Sequence, residues 1–193
     1  MTQQRVREHL RAHFGAAGCG EPDSASVTFL GAEAIEVLRF RCAADGLTSY
    51  VSVGCSRYPM SDPSEVVVDP VRGPRAEVVV RLRDPGGITG LARSVALLAA
   101  TPAVEGVVLV PDALVDLGSP LWAHPSTRVP FTAVLLGPSD IPDLALEAPR
   151  DPVRFVCATP ITANEAAWVR LKGAEAMREA WRDDHVDVLD SRR

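Results

Sequence analysis

Lysine is nearly missing: Lys172 is the one lysine among 20 basic residues, and the rest are arginine. With the abundance of alanine, valine and proline, this reads as a GC-rich coding bias, so the arginines in bulk carry no functional signal. Positive charge is not in excess either. The 20 basic residues face 25 acidic ones, a net charge of −5, and a dedicated nucleic-acid binder would need a basic face instead. No run approaches the ~20 apolar residues of a helical membrane span. The N-terminus has no apolar core behind a basic start, because Arg5, Arg7, Glu8, Arg11 and His13 interrupt it. No secretory leader is expected, and the cytoplasm is the expected location.

The sequence is also poor in chemical signatures. There is no P-loop, no G-x-G-x-x-G and no H-E-x-x-H. Gly54-Cys55-Ser56-Arg57-Tyr58 begins like the G-x-S-x-G nucleophile turn, but Tyr58 stands where a second small residue must let the turn close. Asp183-Asp184-His185-x-Asp187 reads as the charged end of a helix, not a ligand set. His9 and His13 are one helical turn apart near the N-terminus, and His124 sits in the long loop near Trp122; each reads as a structural or exposed histidine. No nucleophile–base pair, metal site or cofactor site is expected.

The four cysteines, Cys19, Cys42, Cys55 and Cys157, show no C-x-x-C and no Cys/His ligand spacing. Cys42 and Cys55 flank one predicted hairpin. With Asp45-Gly46 as a two-residue turn, Cys42 pairs with Ser49 and Cys55 lies opposite Glu36. Their sulfurs are then about 20 Å apart along the strands, whereas a disulfide needs Cα atoms within about 7 Å. All four are expected as reduced thiols packed as small hydrophobes.

What the chain does have is a core. Its 193 residues are 47% hydrophobic, enough for one domain spanning residues 1–193 that buries roughly 70% of its unfolded surface. Gln3–Phe14 reads as a helix with Val6, Leu10 and Phe14 on one face. Strands are predicted at Val27–Leu30, Ile35–Cys42, Leu47–Cys55, Glu65–Val71 and Ala76–Arg83. The Asp45-Gly46 signal puts Phe40 opposite Val51 and Leu38 opposite Val53 on one face, with Arg39, Arg41, Tyr50 and Ser52 on the other. In Ala76–Arg83, the even residues through Leu82 form one face, with Glu77, Arg81 and Arg83 opposite. A helix is predicted from Ile88 to Ala100, stopped by Pro102. A short buried strand at Gly106–Val110, a proline-rich loop from Pro111 to Pro130, and strands at Phe131–Gly137 and Pro152–Ala158 follow. Thr162-x-x-Glu165 is a capping box opening a helix with Trp168 and Leu171. Gly173 separates it from a second helix with Met177 and Trp181, and Val186–Arg193 reads as extended.

Several of these segments, in order, resemble the suppressor-of-fused domain family. Tyr50–Met60 is similar to the family's strand ending in a Gly-x-Ser turn followed by Pro-Met. Gly73–Leu82 resembles its Arg-x-Glu strand. Gly118-Ser119-Pro120-Leu121, Phe131–Leu136, and Val153–Val156 through Thr159-Pro160-Ile161-Thr162 to Glu165 and Gly173 continue the likeness over about residues 25–193. Cys55 and Arg83-Asp84-Pro85 depart from the usual pattern.

The resemblance implies an α+β, or mixed α/β, domain: a mostly antiparallel or mixed sheet flanked by helices, without enzymatic activity. Animal relatives bind a zinc-finger transcription factor in Hedgehog signalling, whereas this chain resembles the bacterial stand-alone form, whose relatives look like immunity proteins that bind a toxin. The expected partner is therefore another polypeptide, a toxin domain in the immunity reading. Two alternatives stand beside it: an intracellular scaffold, and an enzyme with a dispersed site at Ser56, Arg57, Arg75 and Glu77. The same four residues, with Leu121 and Trp122 in the long loop, are the candidate protein-binding residues. Trp122 is either an exposed anchor or packed back on its own domain, and an open sheet edge is a second candidate surface.

Overall fold

A computed structural model describes residues 2–29, 33–61, 69–83 and 86–193. Helix α1 (Thr2–Ala16) is followed by strands β1 (Asp23–Val27), β2 (Ile35–Cys42) and β3 (Leu47–Val53) and a 3-10 turn at Cys55–Arg57. Then come β4 (Arg75–Arg83), α2 (Leu91–Glu105), β5 (Leu114–Asp116), β6 (Phe131–Pro138), β7 (Val153–Thr162), α3 (Ala163–Lys172) and α4 (Ala174–Asp183). The strands form one seven-stranded mixed sheet in the order β1-β2-β3-β4-β7-β6-β5. Among these strands the central β4–β7 pair is parallel and the others are antiparallel. The α+β architecture expected from the sequence is the one observed.

Strand alternation divides the core. Val37, Tyr50, Val78, Val80, Leu82, Val134 and Val156 face α2 through Leu91, Val95, Leu98 and Ala99. Leu38, Phe40, Val51, Val53, Val79 and Phe155 face the opposite way, under Val6, Leu10 and Phe14 of α1. Farther along that second face, Ala133, Leu135 and Ile161 pack under Ala166, Val169, Met177 and Trp181 of α3 and α4.

The hairpin keeps its predicted faces but not its register. Leu38 pairs with Val51 and Phe40 with Ser49, so Cys42 meets Leu47 across a four-residue loop. The Asp45 carboxylate accepts the Leu47 amide at 3.0 Å, an Asx turn that widens the loop. A slip of two residues preserves which side each residue faces; a slip of one would have turned the core outward. The first strand runs over Asp23–Val27, earlier than expected, and Leu30 lies outside the described residues. So do residues 65–68 of the expected strand at Glu65–Val71, while 69–71 form a bend rather than a strand.

Pro102 does not stop α2. The Thr101 hydroxyl donates to the Leu98 carbonyl at 2.8 Å, the acceptor that the missing amide of Pro102 would have used. The helix ends instead at Gly106, whose φ of 69° turns the chain so that the Val107 amide reaches back to the Thr101 carbonyl at 3.4 Å. Residues 106–110 are not a strand, although Leu109 is buried; the strand of this region is β5, inside the expected loop. β7 runs through Pro160 to the capping box. Its pairing with β4 ends at Cys157, so Pro160 lies where that flank needs no ladder donor.

The cysteine expectation is overturned for two residues. Cys19 and Cys42 form a disulfide, while Cys55 and Cys157 are free. Docking α1 across β2 delivers the segment after the helix to the end of that strand, a proximity that spacing cannot reveal. The bond closes a sequence separation of 23 residues, which corresponds to about 3 kcal/mol through restriction of the unfolded chain. Cys42→Ser should lose that amount in urea denaturation, and reductant should lower the wild type to the same level. An unchanged midpoint in both would remove the bond from the stability account.

Candidate functional site

β3 ends where Gly54 adopts a φ of 137°, a conformation open to glycine, and the chain turns into the Cys55–Arg57 3-10 turn. β4 runs antiparallel to β3, with Val51 opposite Val79. This puts Glu77, two residues earlier on the same face, directly beneath the turn. Glu77 is fully buried. Its Oε1 accepts the Gly54 amide at 2.9 Å, the Ser56 amide at 3.1 Å and the Ser56 hydroxyl at 2.6 Å. Its Oε2 accepts the Ser52 hydroxyl and, at 3.3 Å, the Cys55 amide. Ser52 in turn accepts the Val78 amide at 2.8 Å.

Arg75, also buried, holds the other end of the turn. Its Nη1 donates to the Ser56 and Arg57 carbonyls, both at 2.9 Å, and its Nη2 to the Val71 carbonyl at 2.9 Å. Its Nε is buried without a partner among the described residues. One acidic and one basic side chain from the same strand face therefore take the amides and the carbonyls of a single turn. Burial, and secondarily the nearby Arg150, pull the Arg75 pKa down. Burial pushes the Glu77 pKa up against the pull of the Ser52 and Ser56 hydroxyls and the Gly54 and Ser56 amides.

This arrangement corrects several expectations. The Ser56 hydroxyl donates to Glu77. Ser56, Arg75 and Glu77 are brought together but sealed, with exposures of 0%, 3% and 0%, so none can touch a substrate or a partner in the folded chain. The Cys55 thiol, half-buried beside the turn, is pushed well up by burial and by Glu77.

Residues 31–193 match the family described as suppressor of fused protein. The chain belongs to the suppressor of fused family. No curated protein matches it. Among solved structures, the Sufu-Fu complex crystal structure is similar at 13% identity and a TM-score of 0.66, over 97% of this chain and 85% of that one. Drosophila suppressor of fused is similar at 14% identity and a TM-score of 0.65, over 97% of this chain. This chain spans about half of the Drosophila chain, 47%. At these identities the two structures establish the suppressor of fused fold.

On that fold, the other sequence-derived candidates separate. Leu121 and Trp122 are 1% and 4% exposed, so the exposed-anchor reading of Trp122 does not hold. Trp122 packs on Phe131 with ring centroids 5.1 Å apart, and the Thr89–Ala123 bridge holds the loop down. Arg57 alone among the six reaches the surface, paired with Glu33 at 2.6 Å. It borders a cleft of about 520 Å³ between the turn and the end of α2, lined by Ile35, Tyr58, Met60, Ala100 and Val104. Tyr58 and Val104 are 62% and 64% exposed. On α3, Trp168 and Leu171 are also exposed. None of these four was a candidate binding residue from sequence, because an apolar residue on a surface has the same local pattern as one in a core. The sheet edges are β1 and the three-residue β5.

Proposed function

We propose that this chain acts without catalysis, by stoichiometric binding of another polypeptide, and that the partner is the toxin domain of a polymorphic toxin system. The observation that carries the reading is the sealed clamp: the Glu77 carboxyl and the Arg75 Nη1 fix the turn from inside, and the segment leaving that turn lines an apolar cleft. Such a device presents a shape, not a reactive group. Membership of the suppressor of fused family supports a non-catalytic binding role, as does the fold shared with the Sufu-Fu complex, itself an assembly with another protein. We take residues 1–193 as one unit, since α1 lies ahead of the family match yet buries Val6, Leu10 and Phe14 in a shared core.

The test mixes the purified chain with the toxin domain encoded beside its gene. A one-to-one complex is expected, weakened at least about tenfold by Tyr58→Ala or Val104→Asp, because aromatic and apolar anchors dominate interface energies. Absence of such a toxin, or turnover of a small molecule by the purified chain, would overturn the reading. No helix among the described residues is long and apolar enough to cross a membrane. A toxin-neutralising role places the chain in the cytoplasm, whereas disulfides persist in oxidising compartments. Alkylation of protein taken directly from cells decides between them: four reactive thiols indicate the cytoplasm, and two indicate an oxidising compartment with Cys19–Cys42 intact.

A further inference from the structure

The residues after α4 are not extended as the sequence suggests. They turn back along the sheet: the Arg83 amide donates to the Leu189 carbonyl at 2.8 Å, and Arg83 pairs with Asp187. This brings Arg193 into a slot built by four separate elements. Its Nη1 meets Glu165 Oε1 at 2.6 Å, and its Nη2 donates to the Pro160 carbonyl at 2.6 Å. The guanidinium carbon lies 5.1 Å from the Phe131 ring centroid and 5.5 Å from that of Trp181. The Arg193 and Glu165 side chains are 13% and 15% exposed, so this is an enclosed pair and not a surface ion pair.

The slot is organised independently of the arginine in it. Glu165 Oε2 accepts the Thr162 amide at 2.8 Å, and Oε1 accepts the Trp181 indole N–H at 2.8 Å. Phe131 is buried against Trp122, and Trp181 against the α3–α4 core. Burial alone would raise the Glu165 pKa, but the Thr162 amide, Arg193 and Trp181 outweigh it and hold the carboxyl low. A fixed carboxylate, a carbonyl acceptor and two aromatic rings are the features that recognise a planar guanidinium over a compact ammonium. One turn along α3 from Glu165 stands the exposed Trp168, on the same side of the helix.

We propose that this slot is an arginine-binding site, closed in cis by Arg193 and open to an arginine side chain of another polypeptide when the 187–193 segment lifts away. The site does not depend on the toxin-partner reading, and its test uses no toxin. Nα-acetyl-arginine amide is titrated into wild type, Arg193→Ala, and Arg193→Ala combined with Glu165→Gln, while the Trp181 indole N–H resonance is followed. Saturable binding is expected in Arg193→Ala, at least about tenfold tighter than in wild type, where the tethered arginine competes at high effective concentration. Nα-acetyl-lysine amide should bind at least about tenfold more weakly, and Glu165→Gln should abolish the response. If Arg193→Ala is too unstable for titration, the arginine amide should raise its melting temperature while the lysine amide does not. Equal responses to both amides, equal affinity in wild type and Arg193→Ala, or an unstable variant that the arginine amide fails to stabilise would each overturn the proposal.

Discussion

Replacing Glu77 by glutamine is expected to cost about 3–5 kcal/mol, and to lower the melting temperature by roughly 10–15 °C, through buried donors left unmatched. The carboxylate is acceptor-only and receives five hydrogen bonds. An amide keeps one acceptor oxygen and brings two donors into a ring of donors. If the oxygen stays with Gly54 and Ser56, the amide nitrogen faces the Cys55 amide and the Ser52 hydroxyl. Ser52 can turn to accept, but its own proton then has no carboxylate to bind. Chemical denaturation of the purified variant measures the loss, and a change below about 1 kcal/mol would show that the network is expendable.

The same carboxyl sets a pH dependence. Because burial raises its pKa in the folded chain, the native state retains a proton that the unfolded chain has already released. Stability from this group is therefore full below the ordinary carboxylate value of about 4.3 and is lost as pH rises through the raised one. The advantage of wild type over Glu77→Gln should narrow from acid to neutral pH. A widening difference would reverse the sign of the shift.

Arg75→Met should be nearly as damaging, at about 3–4 kcal/mol, since it leaves the Ser56, Arg57 and Val71 carbonyls without their donor. Methionine fills much of the space, so the loss reports the guanidinium more than a cavity. The informative measurement is the double variant. Glu77 and Arg75 hold opposite polar groups of one turn, so releasing either devalues the other, and the combined loss should fall short of the sum by about 1–3 kcal/mol. Additivity within about 0.5 kcal/mol would mean that the two side chains stabilise separate elements.

Much of the scaffold was legible from residue order. The Val6, Leu10, Phe14 stripe, the alternating faces of the hairpin and of Ala76–Arg83, and the Thr162–Glu165 box are local periodicities. Each is satisfied by the backbone within a few residues, and tertiary packing had only to agree with it. The strand pattern ran on through Gly54 to Cys55, and the turn there came from the family likeness, whereas β3 ends at Val53. The family likeness pointed to Ser56, Arg57, Arg75 and Glu77, but not to their placement. From strand alternation, Arg75 and Glu77 share a face opposite Val78; whether that face is wet or buried depends on what packs over it.

What the sequence determined by itself was therefore the strongly patterned elements, their faces and the family, but not β5, the course of residues 106–110 or that of the tail. Tertiary structure alone decided that Cys19 reaches Cys42, that Trp122 turns inward while Tyr58 and Trp168 stay exposed, and that Arg193 enters a slot built from β6, β7, α3 and α4. The physical reason is range. Helix and strand preferences act over three to five residues through backbone geometry and hydrogen bonding. Burial of a charge, or pairing of two distant sulfurs, depends on elements tens of residues apart meeting, and on every other contact that brings them together.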